Sequence, residues 1–324
     1  MFIKIQDFLK KIPRRIQFLI TQMALLPSYF RLAKIKENQK SKFETLKNWC
    51  SQYYIYLSGQ SVSDFTTSLW ENYKKKLEEI ILPSPRFSFL RDRVIRETMF
   101  VMAGGKWIKE ELGFLEKSFS REKLTKVLEE DYIGNPILIN STYLTSHTSI
   151  HHLYHFAQFQ EKTKNNLESI TSVIEWGGGY GNMAKILKRI APMVTFTIID
   201  LPVMSCLQWL YLATVFGEDK VNMLTNPKNE IEKGKINILP LSFLKNRELN
   251  AELFIATWSL SESSRYAQDY VVSQNFFGAK HLLLSYQKSG QGLPDAGRVG
   301  EIAKNRGAVI FPINFLPGSY YAFK

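Results

Sequence analysis

Apolar and polar positions follow two rhythms along this chain, and the change falls near residue 134. From Phe43 to about Glu130 the spacing is mainly helical; Gly104-Gly105 interrupts it, and Ser120 opens a helix that carries Leu124, Val127 and Leu128 on one side. Gly134-Asn135-Pro136 reads as a turn. After it come short, nearly continuous apolar runs of the kind that form strands buried on both faces. Such strands are expected from Val173 into a glycine-rich turn, at Thr195 to Ile199, Ile236 to Leu239, Leu253 to Thr257 and His281 to Tyr286. Between them lie helical stretches: Asn182 to Ile190, with Met183, Ile186, Leu187 and Ile190 in register, then Pro202 to Phe216 and Arg265 to Phe277. Ala308 to Ile313 and Ser319 to Phe323, joined through Pro317-Gly318, predict a closing antiparallel pair. Strands alternating with helices imply an α/β unit with a doubly wound parallel sheet.

The turn after the first of these strands carries the chemistry. In Glu175-Trp176-Gly177-Gly178-Gly179-Tyr180-Gly181, glycines at 177, 179 and 181 let the backbone curl and approach a ligand closely. The following helix aims free N–H groups and its positive dipole end at the same place. A dinucleotide fingerprint would need a third glycine at position 182, which is Asn182, and no Gly-Lys-Ser/Thr ending supplies a phosphate loop. Asp200 ends the second strand 25 residues after Glu175, where a ribose diol would lie. As an alternative, Asp200 caps the helix that begins at Pro202.

Glu175-x-Gly177-x-Gly179-x-Gly181 followed by Asp200 resembles the class I S-adenosylmethionine-dependent methyltransferases, a Rossmann-like sheet whose last strand pair is reversed. The longer run Ile174 to Gly181, with Ile199-Asp200-Leu201-Pro202 and Ser259-Leu260-Ser261-Glu262, is similar to the sugar O-methyltransferases of bacterial surface-glycan clusters. The resemblance covers about residues 134 to 324. It implies S-adenosyl-L-methionine as cofactor, with Gly177, Gly179 and Gly181 along its methionine and ribose, and with Glu175 facing the amino group. Asp200 would take the ribose hydroxyls, Leu241 and Ser242 the adenine, and Thr257 and Trp258 would sit beside the sulfonium. Many relatives carry an acidic residue near Leu241; this chain has none there. The implied acceptor is a sugar or glycan hydroxyl.

An alcohol is a poor nucleophile until its proton is leaving, so methylating one calls for a base. Four of the five histidines fall within nine residues: His147, His151, His152 and His155. On a helix, 147, 151 and 155 share a side. Three readings stay open for them. His151 or His155 acts as general base; two histidines and a carboxylate such as Glu262 ligate a divalent metal; or the imidazoles are packed and hydrogen-bonded only. Histidine-rich ligation does not favour magnesium. Glu262 is a second candidate base, or else a cap for the helix near Ser263.

Residues 1 to 43 hold ten Lys or Arg against Asp7 and Glu37, a net of +8 within a chain total of +12. Large apolar residues from Phe2 to Leu26 interleave with them, too short and too polar a stretch to span a bilayer. This basic amphipathic arm fits peripheral contact with a membrane surface, or packing on its own chain or on a second copy in a homo-oligomer. The expected layout is therefore an arm at 1–43, a helical N-terminal domain at 44–133 and a methyltransferase domain at 134–324. Cys50 and Cys206 lie far apart in sequence with no metal or redox spacing, which points to a reducing, cytoplasmic setting, with the arm at the inner membrane surface. The basic charge raises nucleic-acid methylation as a rival, but it is concentrated in the arm. Thr257-Trp258-Ser259-Leu260 also stands where base-amino methyltransferases carry an Asn/Asp-Pro-Pro-aromatic tetrapeptide. No nucleic-acid partner is expected. A rival of another class is a catalytically idle module that binds the cofactor.

Overall fold

The computed structural model describes residues 14–324 except 60, 83, 103, 106 and 246; the first thirteen residues of the basic arm lie outside the described part. The chain builds an eight-stranded mixed sheet and a small two-stranded one, β1 (Leu138–Asn140) and β2 (Thr145–Ser146). The strands of the large sheet, in chain order, are β3 (Ser172–Trp176), β4 (Thr195–Asp200), β5 (Val221–Met223) and β6 (Ile236–Pro240). They are followed by β7 (Leu253–Thr257), β8 (His281–Gln287), β9 (Val309–Pro312) and β10 (Ser319–Phe323). Their spatial order is β5-β6-β4-β3-β7-β8-β10-β9. Pairing is parallel from β5 to β8, whereas β10 runs antiparallel to both β8 and β9. This is a doubly wound, Rossmann-like sheet with a reversed final hairpin, the architecture expected from the sequence. Chain order reverses direction at β3, which lies between β4 and β7, and the crevice at the carboxyl ends of strands flanking such a switch point is where ligands bind.

Most of the expected elements form within a residue or two of their predicted ends. Two differ. The helix from Arg265 stops at Ser273, because Asn275, Phe276 and Phe277 all take left-handed backbone angles (φ 50°, 53° and 52°). That turn folds Phe276 and Phe277 against Phe254 under β7. The edge strand β5 was not expected: Val221-Asn222-Met223 is too short and too mixed to stand out in the sequence.

The helix Pro202–Phe216 carries no charge, and its side chains are buried from Pro202 to Thr214. A helix apolar all round needs cover on every side. The sheet covers one side; the N-terminal helices Asn38–Leu46 and Trp49–Leu57 cover the other, with Trp49 stacked on Trp209 at 4.3 Å. That packing brings the two cysteines together: the Cys50 thiol donates to the Cys206 carbonyl at 3.2 Å. Buried side chains from Phe43 to Phe323 form one continuous cluster.

The helix Asn182–Ile190 shows how burial is reconciled with polarity. Met183, Ile186, Leu187 and Ile190 face the core as expected, but Lys185 is fully buried as well. Its ammonium donates to Glu130 at 2.9 Å and lies 3.8 Å from Asp131, which also pairs with Arg189 at 2.8 Å. Burial alone would raise the Glu130 carboxyl; Lys185 and the hydroxyls of Ser146 and Ser149 hold it below the usual carboxylate range instead. This network ties the helix after the glycine turn to the start of the histidine helix, His147–Thr163.

Candidate active site

A cavity of about 320 Å³ opens at the carboxyl ends of β3, β4 and β7. Its floor is the glycine turn. Gly177 has φ +73°, and a Cβ there would lie 2.4 Å from the Cβ of Ser259, so only glycine lets the turns after β3 and β7 meet. Those turns are laced together as the Ser259 hydroxyl donates to the Trp176 carbonyl and Trp176 Nε1 donates to Ser263 at 3.0 Å. Gly179, at φ +57°, has nothing nearer than 3.9 Å to a built Cβ; a side chain there would stand in the cavity.

Two carboxylates frame this floor. Glu175 is buried, and its Oε2 has no hydrogen-bond partner. Burial, and then the neighbouring Asp200 charge, push it up to about 8. Asp200 accepts from the Leu201 amide at 2.8 Å and from Gln208 Nε2 at 2.7 Å, so it does engage the start of the Pro202 helix while still lining the cavity. Burial pushes it up to about 7, against the lowering effect of those donors. An unpartnered buried carboxyl oxygen is costly, and a hydrogen-bonding group in the cavity would complete it.

The cavity wall takes Glu175, Gly177, Gly179, Asp200, Leu241, Thr257, Trp258, His151 and Glu262 from the residues singled out in the sequence. Three others stand off it. Gly181 is the left-handed residue that starts the Asn182 helix, and the Ser242 hydroxyl turns away to the Leu57 carbonyl. His155 is wholly buried with Nδ1 on the Tyr321 hydroxyl at 2.7 Å; burial, then His151 and His152, hold it well below the usual histidine value. Glu262 does not cap the following helix, a task that falls to Ser264. Its carboxylate accepts from Trp70 Nε1 at 3.1 Å, and burial raises it.

At the histidine helix the structure supplies what the sequence did not show. Glu111, from the helix Ile108–Ser118, is fully buried between His147 and His151. Its Oε2 lies 3.2 Å from His147 Nε2, and its Oε1 accepts from His151 Nδ1. Burial alone would raise Glu111, but the two imidazoles hold it below the usual carboxylate range. A carboxylate on Nδ1 fixes the proton there and leaves His151 Nε2 as a lone-pair acceptor. That nitrogen has no partner. Its ring lies 5.7 Å from Trp258, whose φ of +61° is rare outside glycine. Trp258 in turn stacks on Phe100 at 6.1 Å.

His152 has a different part. The Asn182 side-chain amide lies 3.0 Å from His152 Nδ1. Burial, then His151 and Lys185, push it down to about 3, so at neutral pH it is an uncharged imidazole on the cavity wall.

The donor atoms of Glu111, His147 and His151 all lie within 4.8 Å of one another, a spacing that a zinc- or iron-type ion could use. The same atoms already bond directly. Glu111 escaped the sequence reading, although its position was a signal: three residues after Ile108 and four before Leu115, it puts a carboxylate on the apolar side of its helix. Phe65, Trp70, Tyr73, Met99 and Phe100 also line the cavity from the N-terminal helical part.

No protein-family model and no curated protein matches the sequence. Solved structures show a distant likeness. The mitomycin 7-O-methyltransferase is 11% identical, with 66% of each chain covered and a TM-score of 0.39. Magnesium protoporphyrin IX methyltransferase from Synechocystis PCC 6803, with bound S-adenosylhomocysteine, is 14% identical over 53% of this chain and 81% of that one, at 0.37. An O-methyltransferase from neocarzinostatin biosynthesis, in complex with S-adenosylhomocysteine and 1,4-dihydroxy-2-naphthoic acid, is 14% identical over 55% and 57%, at 0.35. The strand order and its switch point carry the fold assignment.

Proposed function

We propose that this protein is an S-adenosylmethionine-dependent O-methyltransferase whose acceptor is a sugar or glycan hydroxyl. The observation that carries the cofactor reading is the orphaned Glu175 oxygen at the floor of a glycine-lined cavity, opposite Asp200. The residues present fit the group. Glu175 would hold the methionine ammonium, the turn at Gly177 and Gly179 would admit its backbone, and Asp200 would accept the ribose hydroxyls. Leu241 would pack on the adenine. When bound, the cofactor supplies an electrophilic methyl on sulfonium sulfur. Transfer of that methyl to the acceptor oxygen would give a methyl ether, with S-adenosylhomocysteine as the leaving group.

The chain's own residues then place the acceptor and take its proton. His151, oriented by Glu111, receives the hydroxyl proton on Nε2 and passes it to solvent after product leaves. Trp70 and Tyr73 line the cavity and would pack on the apolar face of a sugar, and Glu262 would offer an acceptor to its hydroxyls. Little beyond placement and a base is needed for in-line transfer. The test is transfer of labelled methyl from S-adenosylmethionine to a panel of sugars, nucleotide sugars and phenols. Ether formation on sugars supports the acceptor assignment, and labelling of phenols alone would replace it.

A second reading rests on the clustering of Glu111, His147 and His151, with a divalent ion acidifying the hydroxyl in place of the base. Abolition of transfer by chelator, with restoration by zinc or iron(II), would select it.

A further inference from the structure

The active site leaves one patterned surface unused. Helices Arg14–Ala24 and Leu26–Ile35 run on through Leu25, whose amide still bonds the Thr21 carbonyl and whose own carbonyl accepts from Tyr29, both at 3.1 Å. Along them Ile16, Leu19, Ile20, Met23, Leu26 and Phe30 recur at spacings of three and four, the signature of one helical side. A helical side such as this belongs in a core. Here it faces out: Met23 is 69% exposed, Leu19 58% and Phe30 75%. From Ile16 to Phe30 the stripe spans about 21 Å at the helical rise.

The opposite side explains why the helices hold their place. Leu25 and Leu32 are buried with Leu138, Gln22 donates to the Leu138 carbonyl at 3.1 Å, and Arg91 donates to the Tyr29 hydroxyl at 2.8 Å. The apolar stripe is therefore a fixed feature of the folded surface. It is flanked by exposed Arg31, Lys34 and Lys40, and Glu37 is the one acid from residue 14 to residue 43.

We propose that this face docks on an anionic lipid surface, lying in the interface with its apolar stripe among the acyl chains and its basic residues at the headgroups. The charge decides against a second copy. A two-fold dimer sets a patch against a second copy of itself, and here both copies would carry the positive charge of Arg31, Lys34 and Lys40 into one interface. An anionic bilayer meets both features at once. Spanning is not implied: among the described residues no helix is long and apolar enough to cross a membrane.

The test is co-sedimentation of the full chain with vesicles of phosphatidylcholine alone or with about 30% phosphatidylglycerol, where each basic residue near the surface adds to retention. Binding should need the anionic lipid and fall as salt rises from about 0.05 to about 0.5 M, because the screening length shortens threefold or more. The double substitution Met23→Glu with Phe30→Glu changes exposed positions only. It should keep the melting temperature and lower retention by at least about tenfold, as should Arg31→Glu with Lys34→Glu. No retention of the wild-type chain at low salt would overturn the proposal, and so would equal retention of the variants. A dimer that the Met23 and Phe30 variant disperses, with no vesicle binding, would assign the face to a second copy.

Discussion

If Glu175 holds the methionine ammonium, cofactor binding must be coupled to proton release. With the free carboxyl at about 8, roughly nine chains in ten are protonated at pH 7. A cation against Oε2 favours the ionised form, so binding at pH 7 should release close to one proton. The free chain spends about a tenth of its time in the competent state, and apparent affinity is reduced about tenfold for that reason. Affinity should therefore climb by nearly tenfold per pH unit, about 1.4 kcal/mol, from pH 6 to about 7.5, where the amino group of the ligand begins to lose its own proton. Titration calorimetry in buffers of different ionisation enthalpy counts the protons directly. Glu175→Gln keeps the shape and removes this titration, leaving that of Asp200: its binding should rise less steeply between pH 6 and 7.5 than that of the wild type and be about 2 kcal/mol weaker at pH 7.5. No buffer dependence in the wild type, or a glutamine variant that binds equally well, would refute the reasoning. The sign carries over to stability. Glu175 and Asp200 are raised in the folded chain, so their contribution is present below the unfolded values near 4 and is lost as pH rises through about 7 to 8. Saturating cofactor should offset much of that loss, seen as a ligand-induced rise in melting temperature that grows with pH.

Glu111→Gln should lower kcat by roughly 10²-fold while leaving cofactor affinity within about twofold, since it removes the charge that orients His151 but touches no cofactor contact; single-turnover methyl transfer alongside calorimetry checks both. His151→Ala should fall at least as far, and wild-type turnover in that variant would return the cluster to packing alone. Asp200→Ala should weaken S-adenosylmethionine binding by about 1 to 3 kcal/mol, read by calorimetry, through loss of charged acceptors for the ribose. Glu130→Ala leaves the buried Lys185 ammonium only the more distant Asp131, at 3.8 Å, and should cost about 3 kcal/mol of stability in denaturant unfolding, which an exposed carboxylate such as Glu79 would not.

Most strand and helix limits in the sheet were legible because the inner parallel strands are buried on both faces and read as nearly continuous apolar runs, which the edge strand β5 does not. The glycine-lined floor of the cavity was legible because a turn that must approach a ligand can use few residues besides glycine. The aromatic wall of the cavity was not. Phe65, Trp70 and Tyr73 sit more than a hundred residues before the glycine turn, and an aromatic on a helix reads alike whether it faces a core or a cavity. His151 could be proposed from its spacing, but Glu111 lies forty residues earlier and meets it only across two packed helices. His155 shows the opposite limit: spacing placed it beside His151, and burial against Tyr321 keeps it off the cavity.

The most direct test of the central claim is a crystal structure of the full chain with S-adenosylhomocysteine at saturating concentration. The account predicts ligand density along Gly177 and Gly179, with the homocysteine amine within hydrogen-bond distance of Glu175 and the ribose hydroxyls on Asp200. An empty cavity, or ligand bound with neither carboxylate in contact, would contradict it.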